Sequence, residues 1–251
     1  MTEVHPARAD VSAADRDTAH RHLADLFAGI AVGRFPPADG AVEVLPHPGG
    51  PVAGVLSFTA HHVVVADVDP TWVHDRLPPG DLAAPLGARF LATLGDVLGS
   101  DHDSVDIVLV AAARPAPPHL ELVPVDAAGD HPRLARAARY RSGVRAWTTA
   151  DGAGLVLIGQ GLGGRWETAF EVAPEARGRG LGAVLATAAR HLVPDHRPVF
   201  AQVAPGNLPS LRSLLTAGYA PVGGELLYPV GPAGEGATGL LASRSTRAGD
   251  R

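Results

Sequence analysis

The sequence of 251 residues contains no cysteine and no lysine. Without cysteine the chain can form no disulfide, no thiolate metal site and no cysteine nucleophile. All 21 basic residues are arginines, and we attribute this bias, together with the abundant alanine, glycine and proline, to a GC-rich genome. The net charge of −5 argues against general binding to nucleic acids or to anionic membranes.

Long apolar runs are also missing. No run reaches the length of a transmembrane helix, and residues 1–10 lack the apolar core of a signal peptide. The chain is 46% hydrophobic and 19% charged, a composition typical of a globular protein with an ample core. We therefore expect a cytoplasmic protein.

A glycine-rich segment lies between a strand pattern, residues 166–172, and an alanine-rich helix pattern, residues 183–192. Glycine lets the backbone approach an anion without an intervening Cβ. The N-terminus of a helix adds free N–H groups and the positive end of the helix dipole. The segment therefore predicts a phosphate or pyrophosphate site formed by Arg177, Gly178, Arg179, Gly180, Leu181 and Gly182.

The spacing of this segment, Arg177-x-x-Gly180-x-Gly182, resembles the R/Q-x-x-G-x-G/A loop of GCN5-related N-acetyltransferases (GNATs). That superfamily uses the loop to hold the pyrophosphate of acetyl-CoA. The resemblance extends over residues 120–228 and implies acetyl-CoA as co-substrate and an amine as acceptor.

A second segment agrees with the first. Asn207-x-x-Ser210, followed by Gly218 and Tyr219, is similar to the N-x-x-A/S…G-F segment of the same superfamily. The resemblance implies that Asn207 and Ser210 contact the cofactor, together with Phe170 and Val172 on the preceding strand. Two alternatives stay open: Asn207 can serve as the N-cap of the following helix, and the loop arginines can be solvated surface residues.

Two segments also fit the G-x-G-x-x-G/A fingerprint of dinucleotide-binding Rossmann proteins, beginning at Gly159 and at Gly178. The first is followed by another strand pattern, which predicts a hairpin turn. The second has no strand ending in Asp or Glu about 20 residues later. We therefore treat a Rossmann protein as a third, disfavoured alternative.

The proline-rich run at residues 114–118 is the clearest break in the chain, and we place a domain boundary there. Residues 1–113 predict an N-terminal α/β domain, a degenerate GNAT-like domain without a cofactor loop. Residues 118–230 predict the GNAT domain, ending in two strands at 219–222 and 225–230. The tail at residues 231–251 is predicted to be disordered.

The predicted fold class is α/β (α+β), and the resemblance implies the acyl-CoA N-acyltransferase fold. This fold is a mixed, mostly antiparallel sheet flanked by helices. In it, the strand before the glycine loop splays from its neighbour, and the resemblance implies that Val172 donates its main-chain N–H to the acetyl carbonyl.

Direct transfer also needs a base and a proton donor. Glu167 and Glu171 lie on one face of the same predicted strand and are the candidate bases; alternatively both line a solvated sheet face. Many superfamily members place a proton-donating tyrosine seven residues after the motif asparagine, but this chain has Leu214 there. Tyr228 is our candidate for this role, and Tyr140 is the alternative.

We predict no metal site. The 12 histidines are scattered, and the segment Asp101-x-Asp103-x-x-Asp106 does not continue as an EF-hand loop. The expected function is acetyl-CoA-dependent N-acetylation of a small molecule or peptide by direct transfer. The alternative is a module that binds acetyl-CoA and has weak or no catalytic activity, because the usual tyrosine is missing.

Overall fold

The computed structural model describes residues 7–101 and 104–230. Within them the chain forms helices and strands in the following order: α1 (Ala13–Ala31), β1 (Val42–Leu45), β2 (Val52–Phe58), β3 (His61–Val65), α2 (Pro70–His74), α3 (Ala88–Leu98), β4 (Asp106–Ala111), β5 (Leu122–Val125), α4 (Pro132–Tyr140), β6 (Ser142–Thr149), β7 (Gly154–Gln160), β8 (Trp166–Val172), α5 (Leu181–Leu192), β9 (Val199–Val203), α6 (Leu208–Thr216) and β10 (Ala220–Pro229). The predicted tail, residues 231–251, lies outside the described residues.

The strands form one sheet in the order β1-β3-β2-β10-β4-β9-β8-β7-β6-β5. The pairs β1–β3 and β8–β9 are parallel, and the other neighbours are antiparallel. This arrangement confirms the predicted mixed, mostly antiparallel sheet flanked by helices. It differs from the sheet of a Rossmann protein, whose strands are mostly parallel.

Helices cover both faces of the sheet. The hydrophobic clusters beneath α1 and α4 lie on one face, which we call the α4 face. The clusters beneath α2, α3, α5 and α6 lie on the other, which we call the α5 face. Successive strand residues point to opposite faces, so Leu227 packs with the α1 cluster while Tyr228 packs beneath α3.

The two halves of the chain exchange strands across the predicted boundary. Strand β4, from the first half, lies between β9 and β10 of the second half. Strand β10 in turn lies between β4 and β2. Both halves therefore contribute to one continuous sheet, and the predicted boundary at residues 114–118 lies in the connection that follows β4.

The C-terminal strand corrects one prediction. Residues 219–222 and 225–230 were expected to be two strands, but β10 is continuous and has a bulge between Pro221 and Gly223. A Cβ at Gly223 would collide with the backbone carbonyl of Ser57 on β2. Gly223 therefore allows the close approach of the neighbouring strand β2.

Two local features define ends of elements. Helix α1 begins with a capping box, since Ser12 and Asp15 each accept a hydrogen bond from the backbone N–H of the other. The segment from Gly159 to Gly164 connects two antiparallel strands, as the hairpin interpretation predicted. No helix within the described residues is long and apolar enough to cross a membrane.

Candidate functional site

The strands β8 and β9 are paired only at their beginnings. Trp166, Glu167 and Thr168 pair with residues 199–201, and beyond Thr168 the structure gives no β9 partner among the described residues of β8. Strand β8 continues to Val172 along β7. The sheet therefore opens between β8 and β9, as the resemblance implied, and the opening is a cleft that runs through the sheet.

The main chain of β8 turns hydrogen-bonding groups toward this cleft. Just beyond the two ends of β8, Ala173 donates its N–H to the Ala153 carbonyl and the Arg165 carbonyl accepts from the Gly161 N–H. The odd-numbered residues of β8 are therefore the ones whose main-chain groups bond to β7. In an antiparallel ladder only every second residue bonds to the same neighbour. The N–H and C=O groups of Phe170 and Val172 therefore face away from β7 and toward the cleft.

The glycine loop follows directly after β8. Gly178 and Gly180 have positive φ angles of 75° and 84°, a conformation that side chains other than glycine rarely adopt. A Cβ at either position would meet nothing within 4 Å, so the space above the loop is open. The backbone here can be approached closely by a ligand.

Helix α5 begins at this loop. Its N-cap is Gly180, and no side chain caps the helix. The first N–H groups of α5 are therefore available to an anion at the positive end of the helix dipole. Gly182 has a different role, since a Cβ there would lie 2.7 Å from the Ser213 hydroxyl on α6. Because glycine has no Cβ, α5 and α6 can pack closely at this point.

The loop arginines are exposed. Arg177 donates from Nε to the carbonyl of Val172 at 3.1 Å, which joins the loop to the end of β8. This bond uses one of the donors of the guanidinium, which carries five N–H groups. Arg179 lies between the two positive-φ glycines and is exposed as well.

The second motif lies across the cleft, at the start of α6. Asn207 is the N-cap, and its side-chain oxygen accepts from the Ser210 backbone N–H at 3.3 Å. Asn207, Ser210 and Leu214 all line the cleft. The capping alternative is thus realised, and the same residues form the α5-face wall of the cleft. Leu214 is buried, 2% exposed.

The cleft has a volume of about 230 Å³. On the α4 face its wall is formed by Arg133, Arg136, Ala137, Tyr140 and Arg141, and strands β4, β8, β9 and β10 complete it. Asp106 on β4 also lines the cleft, where it accepts from the Ser104 hydroxyl at 3.0 Å. The first half of the chain therefore supplies part of the site.

Glu167 is completely buried, at the centre of a chain of ion pairs. Its carboxylate lies 2.8 Å from Nε of Arg165 and 2.9 Å from Nε of Arg141. Arg165 also donates to both oxygens of Glu225 at 2.6 and 2.7 Å. Burial alone would lower the pKa of the Arg165 guanidinium, but Glu225 and Glu167 together raise it. A base role for Glu167 would require it to part from two guanidinium groups.

Glu171 lies on the same face of β8 as Glu167, beside Arg133, which lines the cleft. Its carboxylate accepts from Nε of Arg133 at 3.0 Å, and the two side chains are 38% and 35% exposed. Of the two candidate bases, Glu171 is the one that solvent and a ligand can reach.

The three tyrosines have separate environments. Tyr228 is fully buried and donates to the carbonyl of Leu91 at 2.7 Å, on the face opposite the α4 wall. Tyr219 donates to Ala186 at 3.1 Å in the core beneath α5. Burial raises the pKa of both hydroxyls. Among these three, Tyr140 is the one that lines the cleft.

Sequence reasoning missed the arginine wall of α4 and the contribution of β4. The wall could have been found, because Arg133, Arg136 and Tyr140 recur at helical spacing on the face that carries Ala137. Asp106 had only been considered as a metal ligand. No group of three or more potential metal-ligating side chains occurs within residues 7–101 and 104–230.

No protein-family model matches the sequence, and no curated protein matches it either. Among solved structures, the chain is similar to a GCN5-related N-acetyltransferase from Kribbella flavida, with 18% identity, a TM-score of 0.35, and coverage of 57% of this chain and 63% of that chain. A GCN5-related N-acetyltransferase from Sphaerobacter thermophilus gives 16% identity, a TM-score of 0.35 and 56% coverage of each chain.

A tandem GNAT protein from the clavulanic acid biosynthesis pathway matches over 90% of this chain and 98% of its own, with 17% identity and a TM-score of 0.38. Solved GNAT structures are thus among the structural neighbours of the chain, as the two sequence motifs predicted. The Kribbella and Sphaerobacter matches each span less than two thirds of the solved chain. Because the TM-scores are low, we propose the function from the geometry of the loop and the cleft.

Proposed function

We propose that this chain is an acetyl-CoA-dependent N-acetyltransferase that transfers the acetyl group directly to an amine. One observation carries the proposal. The chain passes from the end of β8 that β9 leaves unpaired, through one short turn at Pro174–Ala176, to the uncapped, glycine-rich N-terminus of α5. A ligand with a pyrophosphate at one end and a narrow thioester arm at the other fits both features at once.

The loop suits the pyrophosphate. Its open glycines permit close approach, and the first N–H groups of α5 with Arg177 and Arg179 supply donors and positive charge. The cleft-facing groups of Phe170 and the N–H of Val172 suit the thioester arm, because an extended amide chain can pair with the edge of β8 that β9 leaves unpaired, as a further strand would. These roles of the loop, Phe170 and Val172 are the ones that the sequence resemblance implies.

The chemistry requires few side chains. The amine nitrogen bonds to the thioester carbonyl carbon, the carbon–sulfur bond breaks, and the amine proton passes to solvent or to the leaving sulfur. The N–H of Val172, facing the cleft, is suited to stabilise the charge that develops on the carbonyl oxygen. Holding both reactants in one cleft supplies a further part of the acceleration.

Proton transfer has two candidates at the cleft. Glu171, which is partly exposed beside the cleft-lining Arg133, is the candidate to take the ammonium proton directly or through water. Tyr140, on the α4 wall, lines the cleft and is the candidate to protonate the sulfur. Glu167 and Tyr228 are less suited, because the first is held between two arginines and the second is buried beneath α3.

A second candidate function is favoured by Leu214. It is buried at the cleft wall, where the resemblance implies a proton-donating tyrosine. If no other group supplies the proton, the chain binds acetyl-CoA without efficient transfer. General acid catalysis is worth about 10²–10⁴-fold, so the loss would slow transfer without removing it.

The two functions are separated by an assay of thioester cleavage in a panel of primary amines, combined with mass spectrometry of the amines. The proposal predicts an acetylated amine and a Glu171→Gln variant whose pH–rate profile is shifted. Acetyl-CoA binding without any acetylated amine would favour the binding module. Absence of both binding and transfer would refute the acetyltransferase proposal.

A further inference from the structure

We infer that the acceptor is an α-amino amide, an amine with an uncharged amide group on the neighbouring carbon, and that Gln202 binds this amide. Gln202 lines the cleft from β9. The inference rests on the proposed acetyl transfer and names the class of acceptor for that reaction. Amino-acid amides and the N-termini of peptides share this group.

The charged side chains at the cleft are already engaged. Together with their ion-pair partners they comprise four arginines and four carboxylates within the described residues: Arg133, Arg136, Arg141, Arg165, Asp106, Glu167, Glu171 and Glu225. Each of them takes part in an ion pair, a hydrogen bond or a ring contact. Burial of a further charge without a free counter-charge is costly. The cleft therefore favours an acceptor whose second functional group is uncharged.

The main chain of Gln202 offers an uncharged group at the point where the sheet opens. The last pair between the two strands joins Thr168 to Ala201. A further pair, Ala169 with Gln202, would require the Phe170 N–H to bond to the Gln202 carbonyl. That pair does not form among the described residues. The Gln202 carbonyl therefore faces the cleft without a partner on β8.

The side chain of Gln202 adds a donor at the same place. It points to the α4 face, because Phe200, two residues earlier, packs in the cluster beneath α1. Arg141 can only donate, and it bonds to the amide oxygen of Gln202 at 2.8 Å, so the amide nitrogen points elsewhere. That nitrogen is shielded from water and has no hydrogen-bond partner among the described residues. An unsatisfied donor of this kind is costly.

An amide group complements both features of Gln202. Its oxygen can accept from the side-chain nitrogen, and its N–H can donate to the main-chain carbonyl. Because the nitrogen is shielded, the side chain must turn slightly toward the ligand, and relief of the unsatisfied donor favours that turn. A carboxylate could accept, but it has no N–H to offer the carbonyl. The cleft volume of about 230 Å³ suits a small molecule or the end of a peptide.

The test compares three amines of equal size with the full chain: glycinamide, glycine and isobutylamine. Glycine replaces the amide by a carboxylate, and isobutylamine replaces it by an apolar branch. Binding is measured by NMR with and without coenzyme A, and transfer is measured separately by mass spectrometry. We expect glycinamide to bind at least about tenfold more tightly than either analogue, because a site built for a hydrogen bond rejects a ligand that leaves it unpaired. Triglycine amide then shows whether the site also takes a peptide.

Variants locate the effect. Gln202→Glu keeps an oxygen for Arg141 but replaces the donor by an acceptor, and Gln202→Met removes both. Each should reduce the preference for glycinamide over isobutylamine severalfold, mainly through KM where transfer occurs. Gln160→Glu is the matched control, because Gln160 ends β7 and lies outside the cleft lining. Comparing ratios between variants cancels the different basicities of the amines, and circular dichroism should confirm that all three variants are folded.

Each result decides. A preference for glycinamide that survives both Gln202 variants would overturn the inference, since water would then satisfy the amide nitrogen. Failure of glycinamide to bind, or binding of glycine or isobutylamine as tight as that of glycinamide, would overturn it too. Binding of glycinamide that depends on Gln202 but leads to no transfer would uphold the inference and refute the proposed acetyltransferase function. Transfer to all three amines without preference would do the reverse.

Discussion

Each half of this chain contains one pair of parallel strands, and the two pairs differ in how far their strands stay hydrogen-bonded to each other. In the first half, β1 and β3 stay paired over all of β1, from Val42 to Leu45. In the second half, β8 and β9 separate after Thr168 although both strands continue. A closed pair has no free main-chain edge between its strands, whereas an open pair offers one to a ligand.

The helices that follow show the same contrast. In the first half, α2 follows β3, and its N-cap Asp69 accepts from the N–H groups of Thr71 and Trp72. These bonds lower the pKa of the Asp69 carboxyl, so a negative charge already occupies that helix end. In the second half, α5 follows β8 with the uncapped Gly180. Helix α3 also starts at an uncapped glycine, Gly87, but it does not follow an open strand pair.

The comparison indicates that a cofactor site on this architecture depends on two absences in one place: a strand without its partner and a helix without its cap. Within its described residues the first half does not combine the two, because its uncapped helix α3 does not follow an open strand pair. It contributes β4 to the sheet and Asp106 to the cleft instead. Its predicted role as a degenerate GNAT-like domain stays a prediction.

The largest expected effect is a loss of stability when the buried Arg165, which joins the two halves, is replaced. Arg165 lies among Glu167, Glu225 and the rings of Phe27 and Phe200, so it ties α1 and β10 to β8 and β9. Removal of one partner from a buried ion pair typically costs about 3–5 kcal/mol. We expect Arg165→Met to lower the free energy of unfolding by that amount in urea titrations monitored by circular dichroism.

The exposed Arg76, which stacks over Trp72, provides the control. Arg76→Met should change the free energy of unfolding by less than about 1 kcal/mol. If Arg165→Met melts the second half while the first half stays folded, the halves are not the single sheet that we describe.

The next effect concerns the loop. Gly180→Glu introduces a carboxylate at the N-terminus of α5, where the proposed pyrophosphate lies, and we expect acetyl-CoA affinity to fall at least about a hundredfold. Gly80→Glu is the matched control, because Gly80 also has a positive φ, 76°, and nothing within 4 Å of its Cβ position. Calorimetry that gives equal affinities for the two folded variants would contradict the site.

The loop could be predicted from sequence because its chemistry is local. Arg177, Gly180 and Gly182 are close in the chain, and the spacing itself carries the signal. The burial of Glu167 could not be predicted, since it depends on Arg141 and on the position of β10. The exchange of β4 and β10 between the halves could not be predicted from the sequence either. Strand periodicity indicates which face of a strand is buried, but it does not identify the neighbouring strands.

A smaller effect separates the tyrosines. Tyr228→Phe removes the bond to Leu91 in the first-half core, so we expect a stability loss of about 0.5–1.5 kcal/mol and nearly unchanged transfer. Tyr140→Phe, at the cleft, should slow transfer while acetyl-CoA affinity is preserved. A large loss of transfer in Tyr228→Phe, with Tyr140→Phe unaffected, would reverse the assignment.

The smallest effect is a pH dependence that belongs to the first half. Burial lowers the pKa of His62 from its ordinary value of 6.5. The unfolded chain therefore binds the proton more readily below about pH 6.5, and stability must decline as the pH falls, by at most about 1.4 kcal/mol per pH unit. His62→Leu should flatten this decline in urea titrations, whereas His119→Leu, exposed in the second half, should leave it unchanged.

The number of acetyl-CoA molecules bound per chain tests the contrast between the halves most directly. Isothermal titration of the full chain with acetyl-CoA should give one molecule per chain, because among the described residues an open strand pair and an uncapped helix occur together only at β8, β9 and α5. The same titration of Gly180→Glu should give none. Two molecules per chain, or one that survives Gly180→Glu, would contradict the account.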